Sequence, residues 1–203
     1  MCIRDRNYTG SVVGCGFPSI VRKGTILSAA NIDKGWINVN AEEVFEKHNP
    51  GKDFMIVNDA DAAGMAEVKF GAGRDEQGVV LLITIGTGLG SALFVNGELV
   101  PNTEFGHIYL KGQDKIAEKY ASNSARKKGD LSWEEWTDRF NFYLGTIEHL
   151  MSPDLILLGG GISKKFDHYG HMLKTRCQIK PAILKNAAGV IGAAYFAGKL
   201  KHA

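Results

Sequence analysis

With 203 residues, 44% of them hydrophobic and 23% charged, the chain can bury a core as one large domain or two small ones. It has no run of eighteen apolar residues and no signal-peptide pattern, which argues against a membrane-spanning or secreted protein and for a cytoplasmic one. A net charge of +2 in mixed-sign segments gives no nucleic-acid footprint, and Cys2, Cys15 and Cys177 are too scattered for a disulfide framework or a thiolate zinc site.

Residues 1–6 resemble the start of no element. Residues 11–13 read as a short strand that Gly14, Gly16 and Pro18 stop in a turn. Extended chain at 25–27 leads to Asn31, and an amphipathic helix is expected over 41–48 with Val44 and Phe45 inward. Residues 54–57 form an apolar strand that delivers Asn58 and Asp59 to an Ala-rich helix at 60–70, the kind of junction where open α/β sheets bind ligands. Residues 79–84 are a buried strand, and 91–95 return beside it after the turn Gly86-Thr87-Gly88-Leu89-Gly90. Asn96-Gly97 predicts a type I′ hairpin into 98–100. Ser132-Trp133-Glu134-Glu135 is a capping-box sequence, and Trp133, Trp136, Phe140, Leu144, Ile147 and Met151 then recur along one helix face. A buried strand at 155–158 ends in Gly159-Gly160-Gly161, Ser163 is expected to open the next helix, and 190–200 is a closing apolar helix.

Phosphoryl transfer to a hydroxyl asks a protein for a carboxylate near that hydroxyl, polar groups that hold the acceptor, and backbone donors for phosphate oxygens. Asp59 suits the first task with Asn58 beside it, although Asn-Asp is equally a helix N-cap pair. Glu104 and His107, around Gly106, suit a polyol or simply a solvated loop. Gly86, Thr87 and Gly88 make either a nest for anionic oxygens or a tight hairpin, and no Gly-Lys-Ser or Gly-Lys-Thr of a Walker loop follows. Gly160 and Gly161, followed by Lys164 and Lys165, suit a phosphate or a wet surface. Each signal is weak by itself; four in this order at strand ends are much less readily coincidental.

The runs Val57-Asn58-Asp59-Ala60-Asp61-Ala62-Ala63-Gly64, Thr84-Ile85-Gly86-Thr87-Gly88-Leu89-Gly90, Pro101-Asn102-Thr103-Glu104-Phe105-Gly106-His107 and Leu158-Gly159-Gly160-Gly161-Ile162-Ser163-Lys164-Lys165 resemble the ROK family of sugar kinases. Within it, Ser28-Ala29-Ala30-Asn31-Ile32-Asp33-Lys34-Gly35-Trp36 and Asp130-Leu131-Ser132-Trp133 are similar to the polyphosphate glucokinase branch. The resemblance implies an α/β, actin-like and ribonuclease-H-like fold of two lobes with glucose in the cleft. On this reading 1–57, joined by the helix at 188–203, are the remnant of the small lobe, and 58–187 are the large lobe. It implies Asp59 as general base and Asn31, Asn58, Glu104 and His107 as glucose contacts. Thr84, Gly86, Thr87 and Gly88 surround the transferring phosphate, while Gly160, Gly161 and Lys164 line the path of ATP or polyphosphate. Mg2+ arrives with the donor, no residue is put forward as a metal ligand, and the protein is a homodimer.

The family's opening Asp-x-Gly-Gly-Thr hairpin has no counterpart here. The first lobe is therefore expected to be incomplete, by roughly a quarter of a two-lobed kinase of ordinary domain size, which leaves transfer by this fragment open. Tyr109 stands where relatives often carry an acid and is assigned no sugar contact. Two other readings are a non-catalytic ROK-like sugar-binding regulator, whose helix-turn-helix module is not seen, and a kinase for another hexose.

Overall fold

The structure, a computed structural model, describes residues 10–30 and 32–201; the expectations for 1–6 and for Asn31 lie outside the described residues. The first strand, β1 (Val12–Phe17), runs through Gly14 and Gly16, where the sequence pattern predicts a stop after residue 13. The cause is a close approach. A β-carbon on Gly14 would lie 1.9 Å from the carbonyl oxygen of Ala193, so this glycine admits a helix backbone against the strand.

A small antiparallel pair, β2 (Val21–Arg22) and β3 (Thr25–Ile26), precedes α1 (Ala41–His48), whose first turn is capped by the Asn40 side chain. β4 (Asp53–Asn58) then pairs in parallel with β1, from Val12 opposite Asp53 to Phe17 opposite Asn58. On β4, the N–H groups of Ile56 and Phe54 donate to the carboxylates of Glu42 and Glu46 at 3.0 and 3.2 Å, so α1 satisfies donors that no strand takes. Phe17, Val21, Ile26, Ala41 and Ile56 bury together as the core of this half.

α2 (Asp59–Phe70) starts where β4 ends. β5 (Val79–Ile85), β6 (Leu89–Val95) and β7 (Glu98–Val100) follow, with Asn96 and Gly97 both at positive φ (51° and 78°), as the type I′ turn requires. Two short helices not anticipated from the sequence, α3 (Ala117–Ala121) and α4 (Asn123–Lys128), lead to α5 (Trp133–Met151), which opens with the expected Ser132 and Glu135 capping box. β8 (Leu155–Gly159), α6 (Phe166–Tyr169), β9 (Gln178–Pro181) and α7 (Ala188–Lys201) complete the described chain. Ser163 does not open a helix: it lies inside a tight 3-10 turn at Gly161–Lys165, and its hydroxyl donates to the Gly160 carbonyl at 2.8 Å.

The main sheet has the order β7-β6-β5-β8-β9, antiparallel as far as β5 and parallel beyond it. β5 and β8 are apolar at nearly every position, the mark of strands covered on both faces. Leu81, Ile83, Ile85, Ile156 and Leu158 face α5, while Val80, Leu82, Leu155 and Leu157 face α2 and α7. Five fully buried side chains of α5, Trp136, Phe140, Tyr143, Leu144 and Ile147, contribute on the order of 10 kcal/mol of apolar transfer before chain entropy is charged. Among the described residues, no helix is long and apolar enough to cross a membrane.

Candidate functional site

The carboxyl ends of β1, β4, β5 and β8 point at one cavity of about 310 Å³. Asp59 stands at its floor because Asn58 ends β4 and caps α2: the Asn58 Oδ1 accepts the N–H groups of Ala60 and Asp61 at 2.9 and 3.0 Å. Asn58 is thus a helix cap, and its Nδ2 also donates to the Ser19 carbonyl at 2.9 Å. Asn58 takes the cap, and Asp59 is left with its carboxylate at the cavity.

The loop after β7 brings Glu104 and His107 to the opposite wall. Gly106 makes this possible, since a β-carbon there would lie 2.0 Å from the Leu89 carbonyl oxygen. The His107 Nδ1 and Glu104 Oε2 are 3.6 Å apart. Ser91 holds the loop from β6, its hydroxyl donating to the Thr103 carbonyl at 2.6 Å and accepting the Phe105 N–H at 3.0 Å.

Thr84, Gly86, Thr87 and Gly88 line the end of the cavity nearest β5, and Gly160 joins them from β8. The Gly86 N–H is spent inside the turn, donating to the Gly88 carbonyl at 3.0 Å. Gly160 has φ 76° and ψ −170°, a conformation open essentially only to glycine, and a β-carbon would press within 2.7 Å of the Ile85 backbone. Gly161 and Lys164 do not line the cavity; both are exposed, because the tight turn after Gly160 carries the chain away.

A carboxylate that carries no sequence signal completes the wall. Glu118, on the first turn of α3, is 8% exposed, lines the cavity beside Gly88, and pairs with the Lys119 Nζ at 2.8 Å. A lone Glu between Ala117 and Lys119 has no spacing to mark it; only the fold brings it to the site.

Burial and crowding of like charges set the electrostatics. Asp59 lines the cavity, yet burial raises its pKa against the lowering effect of the nearby backbone N–H groups of Ala60 and of Asp59 itself. Glu104 is raised by burial and by the charges of Asp59 and Glu118, with His107 opposing. Asp61, behind the floor and 1% exposed, is pushed up to about 7, chiefly by burial. A carboxylate floor, two acids and an imidazole on one wall, and a glycine turn opposite form a cavity suited to a polyol beside an anion.

Residues 4–125 match the ROK family. The chain belongs to the ROK family. Along 182 residues it is 43% identical to a polyphosphate glucokinase of Mycobacterium tuberculosis, covering 90% of this chain and 68% of that protein. Among solved structures, this ROK chain superposes on the inorganic polyphosphate/ATP-glucomannokinase of Arthrobacter sp. strain KM with a TM-score of 0.88 and 45% identity, over 94% of this chain and 74% of the other. A ROK family glucokinase of Streptomyces griseus, solved with glucose and AMPPNP, matches with a TM-score of 0.76 and 25% identity, over 96% and 84% of the two chains. The mixed α/β, actin-like fold expected from the sequence is the fold of these ROK kinases.

Proposed function

We propose that this protein transfers a phosphoryl group from inorganic polyphosphate or ATP to glucose, with Asp59 as general base. The observation that carries this reading is the convergence of Asp59, Glu104, His107 and the Gly86-Thr87-Gly88 turn on one cavity. In the step, the attacking hydroxyl oxygen bonds to the transferring phosphorus, Asp59 accepts the hydroxyl proton, and the donor's bridging oxygen departs with the bonding electrons. Glu104, His107 and the second Nδ2 hydrogen of Asn58 hold the other hydroxyls, and Asn31 is assigned to the same group. Thr84, Thr87 and Gly88 hold the transferring phosphate, while Gly160, Gly161 and Lys164 lie along the donor path. The donor comes as its Mg2+ complex, the ion neutralising phosphate charge. The same reading makes the protein a cytoplasmic homodimer, with 1–57 and α7 forming the smaller lobe.

Polyphosphate is the favoured donor. The α4 helix is tied to the donor turn by the Ser124 N–H, which donates to the Gly86 carbonyl at 3.2 Å, and it presents the exposed Lys127 and Lys128. A long polyanion gains from such cations, and that gain weakens with salt.

The test is turnover by the full chain with glucose, Mg2+ and each donor in turn. Glucose 6-phosphate is expected; none from either donor, or full activity in Asp59→Ala, overturns the proposal. Added salt is expected to depress the polyphosphate reaction more than the ATP reaction.

A further inference from the structure

Asn102 lies between β7 and Glu104 with φ 60°, in the left-handed region. Its side-chain amide is used twice on one residue 81 positions away: the Val21 N–H donates to Oδ1 at 2.9 Å, and Nδ2 donates to the Val21 carbonyl at 2.9 Å. A side chain thereby makes the two-bond pattern of paired strands. The Asn102 N–H donates to the buried Asp61 Oδ2 at 2.8 Å.

These bonds link opposite walls of the cavity. Two residues before Val21, Ser19 lines it; two residues after Asn102, Glu104 lines it; Asn102 itself does not. Ser91 pins the Glu104 loop from the β6 side, so Asn102 supplies the direct side-chain link to the β2 side. A second cavity of about 250 Å³ lies against the clasp, lined by Val21, Asp61 and Asn102 with Met55, Leu99 and Phe196, and it gives the loop room to shift.

We propose that Asn102 is a positioning residue whose amide clasps Val21 to the Glu104 loop and so fixes the width of the hexose side of the cavity. The proposal rests on the glucose reading for its kinetic consequence alone. Its consequence is on sugar affinity before chemistry, because Asp59 and the glycine turn belong to other elements.

The test is Asn102→Gly in the full chain, which keeps the positive φ at no steric cost and removes the side chain that carries the amide. Loss of two neutral hydrogen bonds is expected to raise the glucose KM about tenfold while kcat stays within about threefold, and to speed hydrogen exchange at the Val21 amide. A glucose KM within about twofold of the parent overturns the proposal, as does a fall in kcat in proportion to a falling Tm, which marks a purely structural role. Unchanged exchange at Val21 overturns the clasp whether or not the parent phosphorylates glucose. A parent that forms no glucose 6-phosphate overturns the function proposed above, and the clasp is then decided by that exchange.

Discussion

Gly88 and Glu118 press against each other at the cavity wall: a β-carbon on Gly88 would lie 2.0 Å from the Glu118 Oε2. The clash is with the tip of a side chain, so Gly88→Ala is expected to fold and to lose about 1 kcal/mol as the carboxylate swings aside. Activity is more sensitive. Glu118 and the turn line one wall of the cavity, so moving them together is expected to displace whatever binds there, and a misplacement near 1 Å costs about 100-fold. Thermal scans with initial rates check this; a Gly88→Ala enzyme with parental kcat/KM sinks it.

Asp59 must be ionised to take a proton, and burial raises its pKa above the ordinary 3.8. The proton that inactivates it therefore binds at a higher pH than for a free carboxyl, and kcat/KM is expected to fall on the acid side with an apparent pKa above the ordinary value. Asp59→Asn is expected to cost about 100- to 10,000-fold in kcat and to leave glucose binding largely intact. A pH-rate profile whose acid limb stays at or below the ordinary carboxylate value contradicts the assignment.

Asp61 offers a separate pH signature, in stability. An unfolded Asp releases its proton near 3.8, whereas the folded chain holds it until about 7. Between those values the folded state binds a proton that the unfolded chain has lost, so stability falls as pH rises through the window, by up to about 4 kcal/mol above it. Asp61→Asn retains an acceptor for the Asn102 N–H and cannot ionise. It is expected to raise Tm over the parent at about pH 8 and to raise it by roughly half as much or less at about pH 5, where only the first part of the window has been crossed. A Tm gain of the same size at both pH values excludes ionisation as its cause.

How much of this was legible in the sequence follows from where each signal resides. Local signals transferred whole: Asn96-Gly97 turned, Ser132 and Glu135 capped α5, and the apolar run at 54–57 carried Asn58 and Asp59 to a strand end. Signals set by distant partners did not. Gly14 looked like a strand breaker because its partner, the Ala193 carbonyl, lies far along the chain. β9 is short, half polar and ends in Pro181, so no alternation marked it. Glu118 was invisible for the same reason, its place at the site depending on how α3 folds against Gly88. Lys164 follows the glycine triplet in sequence yet lies outside the cavity, because the turn at Gly161–Lys165 leads it to the surface.

The contact between α2 and α7 makes the sharpest stability prediction. A β-carbon on Gly192 would lie 1.6 Å from the Ala62 carbonyl oxygen and 2.5 Å from its carbon, so the obstacle is backbone and no rotamer relieves it. Gly192→Ala is expected to cost about 3 kcal/mol or more, since both helices must separate. Gly145, exposed in the middle of α5, would meet nothing within 4 Å, and Gly145→Ala is expected to stabilise by about 1 kcal/mol through helix propensity alone. Denaturant unfolding of the two variants separates packing from propensity. Because α2 begins at Asp59, spreading α2 from α7 also moves the proposed base, so Gly192→Ala is expected to lose activity at temperatures where it remains folded. A Gly192→Ala protein with parental stability and turnover would show that the two helix backbones are not in the contact that positions Asp59.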